Sequence, residues 1–327
     1  TCALPILRGH SASPAPGRGS NFKVVVRVRP PIPRELDGGQ YVNVTKVNDD
    51  SKVITISENL TGDRGDEPAI YSKHMFTFDH VYNQDSDQRT IYENTAREAV
   101  LSTLEGYNAT VMAYGQTGSG KTYTMEGYQG EERRGIIPRS VEEIFANIQS
   151  GASENKKYLV RASYLQIYNK QITDLLDPAR GHLQIREDKK RGVFVEDLSE
   201  WVVRSPSEVY HLIGKGSAER ATGETRMNYM SSRSHAIFII ICEQCETVPL
   251  PPDAQADPSK EPQQNVKIGK LNLVDLAGSE RVRDTGATGS RLQESTNINS
   301  SLCILGNVIA ALTDSKPRTY IPYRDSK

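Results

Sequence analysis

The chain has 327 residues and carries 40 Lys plus Arg against 41 Asp plus Glu, a formal net charge of -1, with 36% hydrophobic and 25% charged residues. That balance excludes a chain disordered throughout, and one that wraps a polyanion with its whole surface, while local basic patches stay open. No run approaches the ~18 consecutive apolar residues of a membrane span, and the first residues lack the charged start and apolar middle of a secretory signal, so a cytosolic protein is expected.

Residues 1 to 21 are rich in Ser, Pro, Gly and Arg, with little apolar content after Leu7, and read as a flexible arm. One domain is expected from Phe22 to Lys327. Lys23 to Val28 is a β-branched strand stopped by Pro30 and Pro31; Val53 to Ser57 and Phe76 to Phe78 are short strands, with an exposed loop at Gly62 to Asp66. Asp87 to Leu104 reads as a helix, with apolar or small residues at Ile91, Ala96, Ala99, Val100 and Leu104. Ala109 to Tyr114 is a buried strand, and a helix starts after Lys121. Ser205-Pro206-Ser207-Glu208 opens another helix, since Pro fits a first turn and Glu three places after Ser closes a capping box; Val209, Leu212 and Ile213 follow at helical spacing. Ala236 to Cys242 is a buried strand. Thr247 to Gln264 holds five prolines and reads as an exposed insertion before a strand near 267 to 274. The last helix, Glu294 to Leu312, carries Ile298, Leu302, Leu305, Ile309 and Leu312 as one apolar stripe. Strands alternating with helices predict an α/β fold, a mostly parallel central sheet with helices on both faces.

Several chemistries drop out. Four cysteines make no disulfide framework. Cys242 and Cys245 form a CxxC, but no second CxxC or close His pair completes a zinc site, so they read as thiols at the end of a buried strand. The six histidines are scattered, without HExxH, and no GxSxG is present, which removes the metalloprotease and serine-hydrolase readings.

Gly115, Gln116, Thr117, Gly118, Ser119, Gly120, Lys121 and Thr122 spell a complete GxxxxGK[ST] P-loop between a strand and a helix. Its glycines let backbone N–H groups turn inward around phosphate oxygens. Lys121 then reaches the β- and γ-phosphates of a nucleoside triphosphate, and the Thr122 hydroxyl ligates Mg²⁺. Lys270 to Asp275 is a strand ending in an acid, suited to holding that ion through water, followed at once by Gly278 and Glu280. Upstream, Asn228 to His235 is dense in hydroxyls around one Arg.

GQTGSGKT, NYMSSRSH and DLAGSE, in this order, together resemble the kinesin motor domain. The likeness extends to Arg27-Val-Arg29-Pro30, Tyr107 to Tyr114, Tyr164 to Asn169, Asn297 to Leu302, Leu305-Gly-Asn307 and Tyr323 to Lys327, nearly the whole chain. It implies a P-loop ATPase of the kinesin fold, with ATP or ADP and Mg²⁺ bound, driven along microtubules. Arg27, Arg29 and Pro30 would be adenine-side contacts, with Tyr123 the stacking ring. Asn228 to His235 would be switch I, where Ser232 completes the Mg²⁺ shell beside Thr122 and Ser231 approaches the γ-phosphate. Asp275 to Glu280 would be switch II, with the Gly278 N–H sensing the γ-phosphate and an Arg233–Glu280 salt bridge closing the pocket over the attacking water.

The resemblance further implies filament contacts through Lys189, Lys190 and Arg191, through Arg281 and Arg283, and through Lys316, Arg318, Arg324 and Lys327. Nucleic acid and membrane are not expected partners. Location on microtubules in the cytoplasm follows, with spindle and cilium both open. Ser300, where many kinesins have Lys, and Asp284 predict weaker filament affinity, and Asn59 to Pro68 lacks the lysines of filament-depolymerising kinesins. Relative to the family the chain is C-terminally truncated, stopping before the final helices, last strand and neck, through which dimerisation would run. Two alternatives remain: a kinesin-like microtubule-binding module without productive turnover, and a P-loop nucleotide kinase or GTPase. The intact switch residues oppose the first. The lack of any NKxD-like segment or acceptor lid opposes the second.

Overall fold

β-Branched runs and apolar-striped segments alternate along the chain, and they assemble around one ten-stranded sheet. The computed structural model describes residues 2–9, 22–37, 41–59, 71–189, 192–222, 232–248, 262–280, 290–314 and 320–326. Its strands are β1 (Cys2–Gly9), β2 (Phe22–Arg27), β3 (Thr45–Val47), β4 (Val53–Asn59), β5 (Tyr71–Thr77), β6 (His80–Tyr82), β7 (Asn108–Ala113), β8 (Lys156–Tyr168), β9 (Gln171–Asp174), β10 (His182–Leu183), β11 (Ile185–Asp188), β12 (Gly192–Val195), β13 (Trp201–Val203), β14 (His235–Val248) and β15 (Gln263–Asp275). Its helices are α1 (Pro33–Leu36), α2 (Gln88–Ile91), α3 (Arg97–Leu104), α4 (Lys121–Met125), α5 (Ile136–Gly151), α6 (Pro206–Thr222) and α7 (Ser290–Thr313).

The central sheet runs β10-β9-β8-β14-β15-β7-β1-β2-β6, with β13 on β8, while β3-β4-β5 and β11-β12 form small sheets of their own. It is mixed and not mostly parallel: β15–β7 and β2–β6 are its parallel pairs. Strands β14 and β15 pair over their whole length, from Ala236↔Asp275 to Val248↔Gln263, by direct return of the chain, which gives antiparallel pairing without a crossover helix. The proline-rich stretch is accordingly shorter than expected, with Thr247, Val248, Gln263 and Gln264 in the strands. Residues 249–261 and the loop at 62–66 lie outside the described residues.

The expected arm also needs correction. Cys2–Gly9 is strand β1, antiparallel to β2 from Cys2↔Arg27 to Leu7↔Phe22 and to β7 from Ile6↔Val111 to Gly9↔Asn108. A composition averaged over 21 residues hid this short apolar run. Pro5 pairs with Val24 alone, beyond the end of the β7 ladder, where a missing N–H is tolerated. Residues 10–21 lie outside the described residues.

Helices cover both faces. On one, α3, α5 and α6 bury Val100, Ile144 and Leu212 against Val25, Val111, Phe238 and Leu271. Helix α5, which the sequence reading omitted, contributes Ile136, Ile137, Val141 and Ile144, all at most 3% exposed. On the other face the stripe of α7 behaves as expected, with Ile298, Leu302 and Leu305 packing on Met112, Val274 and Leu276. The expected helix 87 to 104 is continuous but carries a π-helical turn, Tyr92–Ala96, between α2 and α3. At the start of α6 the Ser205 hydroxyl accepts the Glu208 N–H at 3.4 Å, while Glu208 reaches the Arg204 N–H at 2.9 Å, one residue before the Ser205 N–H that a full capping box requires. Cys242 and Cys245 sit within β14, an odd number of residues apart, so they face opposite sides of the strand and share no ligand geometry. Burial pushes the Cys242 thiol up to about 12.

Candidate nucleotide site

Strand β7 delivers the chain into the P-loop at the centre of the sheet, beside the end of β15. Gly118 and Gly120 take φ of 79° and 93°, a region side-chain-bearing residues avoid, so the loop turns tightly into α4. Lys121, 7% exposed, donates from Nζ to the Gly115 and Gln116 carbonyls at 3.0 and 3.1 Å. Its ammonium therefore lies inside the loop's curve. Helix α4 starts at Lys121, where a helix was expected, and is five residues long.

Thr122 Oγ1 donates to Asp275 Oδ2 at 2.7 Å, joining two residues 153 positions apart. Arg220, at the end of α6, donates from Nη1 to the same oxygen at 3.3 Å and from Nε and Nη2 to the Ser234 hydroxyl and carbonyl at 3.2 and 3.0 Å. Both members of this ion pair are almost wholly buried. Asp275 Oδ1 is also buried and, among the described residues, has no hydrogen-bond partner. An orphaned carboxylate oxygen on a group that already holds the Thr122 hydroxyl is a hard-oxygen donor pair, and it fits Mg²⁺. Close by, burial pushes the Glu126 carboxyl above its ordinary range, with Asp275 adding to the rise while Arg220 and the Tyr164 hydroxyl oppose it.

The segment after Asp275 is tied down residue by residue. Leu276 N–H donates to Ala113 O at 3.2 Å, Ala277 N–H to His235 Nδ1 at 3.0 Å, Gly278 N–H to Ser232 O at 2.7 Å and Ser279 N–H to Gly115 O at 3.2 Å. The Gly278 N–H thus bridges the two switch segments here. Glu280 accepts from Thr117 N–H at 3.0 Å and from Thr117 Oγ1 at 2.7 Å, so its two oxygens lie on the P-loop. The expected Arg233–Glu280 pair is not formed: one threonine offers Glu280 two donors, and both are taken. Burial raises the Glu280 carboxyl, but the Thr117 bonds and the Lys121 charge outweigh it and hold the group below its ordinary value. A Cβ on Gly278 would come within 2.2 Å of Glu280 Oε2 and 2.4 Å of Thr117 Oγ1, so this contact needs glycine. Asn228 and Ser231 lie outside the described residues.

The three residues expected on the adenine side separate. Arg29 lines a cavity of about 240 Å³ with Pro31, Glu35, Tyr41 and the P-loop residues Gln116 to Ser119. It donates to Gly118 O at 2.8 Å and pairs through two nitrogens with Glu35, whose carboxyl falls to about 2 because of that bond. Arg27 instead is buried, donating to Gln88 Oε1 and Thr124 Oγ1 at 2.8 and 3.0 Å with its guanidinium 5.1 Å above the Tyr123 ring. Arg27 and Tyr123 therefore brace the wall behind the loop. Pro30 is exposed and is not part of the cavity lining.

Of the basic residues, Lys189 follows β11 and Arg324 pairs with Glu187 on that strand at 2.6 Å. Lys189 and Arg324, one from each of two basic groups, thus lie at the same strand. Lys190, Arg191, Arg281, Arg283, Lys316, Arg318 and Lys327 lie outside the described residues. Arg220, Thr117, Glu35 and Asn299, which donates to Glu280 O at 3.1 Å, are residues to which sequence reasoning assigned no partner. Thr117 and Asn299 stood inside recognised motifs, and Arg220 and Glu35 did not.

The kinesin motor domain family model matches residues 27–327. Kinesin-related protein 3 of Dictyostelium discoideum is 42% identical over 313 residues, covering 94% of this chain and 24% of that protein. Kinesin-like protein KIF3C of Pongo abelii is 41% identical over 332 residues, covering 94% of this chain and 39% of that protein. The chain spans well under half the length of these relatives. Among solved structures, a fast kinesin matches with a TM-score of 0.77 at 40% identity, over 93% of this chain and 78% of that one.

Proposed function

The chain belongs to the kinesin motor domain family, and from that membership we propose that it hydrolyses ATP at the P-loop and couples the cycle to binding and movement on microtubules. The observation that carries the reading is the 2.7 Å bond from Thr122 to Asp275, which brings the P-loop and the acid of the second switch onto one point. Phosphoryl transfer requires positioning and charge neutralisation more than covalent chemistry. Lys121 supplies positive charge inside the loop, and the loop N–H groups supply donors. Thr122 and Ser232 would hold Mg²⁺ directly and Asp275 through water; when bound, the ion neutralises charge on the β- and γ-phosphate oxygens. Glu280, kept ionised, is the group that accepts a proton from the attacking water, directly or by relay.

In this reading the Thr117–Glu280 contact belongs to an open arrangement. Closure transfers Glu280 from Thr117 to Arg233 and frees the Gly278 N–H from Ser232 O for the γ-phosphate, with Ser231 and Asn228 as further nucleotide contacts. Arg29 and its cavity receive the base, with Pro30 at the rim. Filament attraction comes from Lys189, Lys190 and Arg191, from Arg281 and Arg283, and from Lys316, Arg318, Arg324 and Lys327, opposite an acidic surface. The location proposed is the microtubule cytoskeleton of the cytoplasm.

Co-sedimentation with microtubules tests the coupling. Affinity is expected to be at least about fivefold higher with a non-hydrolysable ATP analogue than with ADP, the lower end of ordinary coupling energies, and to weaken as salt rises. Binding indifferent to nucleotide would favour a filament-binding module without a working cycle.

A further inference from the structure

His235 stands where three elements meet. It opens β14 directly after the switch I segment, its Nδ1 accepts the Ala277 N–H of switch II at 3.0 Å, and its Nε2 lies 3.3 Å from Ser301 Oγ on α7. Ser301 Oγ donates in turn to Ile298 O at 2.7 Å. One proton arrangement satisfies every member. A backbone N–H only donates, so Nδ1 is unprotonated and the ring proton is on Nε2; Nε2–H then donates to Ser301 Oγ, whose own proton is on Ile298 O. The chain of bonds is directional from Ala277 into the backbone of α7. Ala277 is fully buried and adjoins Gly278, the residue bonded to Ser232 O, so the joint begins one residue from the contact between the switches.

We propose that His235 is a positioning residue that transmits displacement of the Ala277–Gly278 backbone to α7 through Ser301, and so sets how strongly filament binding and turnover are coupled. The proposal rests on the motor reading above. The ring's surroundings support its role as a neutral linker. Burial first, then the nearby positive charges of Arg220 and Lys121, hold His235 down to about 4, so Nδ1 stays an acceptor at physiological pH. Met112, Ile237, Leu276 and Leu302 line the cavity on one side of the ring, and Asn169, Arg233 and Asn297 share a smaller one with it.

Ser301→Ala removes the α7 end without touching the nucleotide site. Its basal ATPase is expected within about twofold of wild type, and its microtubule stimulation lower by about fivefold or more, the range of ordinary coupling energies. His235→Asn keeps an acceptor near the Nδ1 position but cannot reach Ser301. Adding Ser301→Ala to it should produce no further loss of stimulation, because both changes cut one link. Stimulation that stays normal in Ser301→Ala, or losses that multiply in the double variant, would overturn the proposal. Hydrogen exchange without microtubules gives an independent readout: Ser301→Ala should speed exchange at the Ala277 amide, and unchanged exchange would equally overturn the joint. A wild-type chain that microtubules do not stimulate, but whose Ala277 exchange responds to Ser301→Ala, would contradict the motor reading and leave the mechanical link standing.

Discussion

Glu280→Ala is expected to leave ATP affinity within a few-fold of wild type while slowing hydrolysis by about 10²–10⁴-fold, the usual loss when a positioned general base is removed. The geometry behind this is specific. Both carboxylate oxygens lie on Thr117, one on its N–H and one on its hydroxyl, and the group is held below its ordinary value despite partial burial. It is therefore charged at neutral pH and close to the loop that holds the phosphates, yet it donates nothing to them. Glu280→Gln should be nearly as slow, because the shape survives and the proton acceptor does not. Titration with a fluorescent ATP analogue reports binding, and single-turnover phosphate release reports chemistry. A collapse of affinity with hydrolysis of bound ATP unchanged would make Glu280 a binding residue.

The second large effect is on stability. Arg220→Ala is expected to destabilise the domain by about 3–5 kcal/mol, the range for removing one partner of a buried ion pair. Arg220 and Asp275 side chains are 6% and 4% exposed, and Glu126 is a second buried carboxyl that Arg220 helps to keep charged. Without the guanidinium, negative charge is stranded in a water-poor site and two bonds to Ser234 are lost. The pH dependence has a definite sign. Glu126 has a folded value above its unfolded one, so the folded state binds more protons and gains stability as pH falls. Losing Arg220 raises Glu126 further, so the deficit of Arg220→Ala should narrow as pH falls from 7 toward 5. Urea denaturation at several pH values checks both statements, and a deficit under about 1 kcal/mol at neutral pH would show the pair to be dispensable.

The P-loop, the acid ending β15 and the stripe of α7 were legible because each is a local pattern: fixed spacing, a strand terminus, a helical period. Partnership across the chain was not. Arg220 lies in an unremarkable stretch of α6, and only the packing of that helix on β8 brings it to Asp275. Thr117 and Glu280 were both recognised, but sequence offers no way to weigh a threonine with two donors against an arginine as the partner of one carboxylate. Arg27 and Arg29, two residues apart, seemed equivalent, but Arg27 is the last residue of β2 and points into the core, whereas Arg29 lies past the strand's end, where the chain leaves the ladder and carries it to the cavity. Strand β1 was missed because its identity depends on β2 and β7 lying on either side of it, a long-range fact that the Ser-, Pro-, Gly- and Arg-rich composition of residues 1 to 21 does not carry.

Steady-state ATPase with and without microtubules tests the central claim most directly. The account predicts slow turnover of MgATP by the chain alone, at least about tenfold faster turnover with saturating microtubules, a coupling of roughly 1.4 kcal/mol or more, and loss of both in Lys121→Ala. Turnover that microtubules leave unchanged would contradict it.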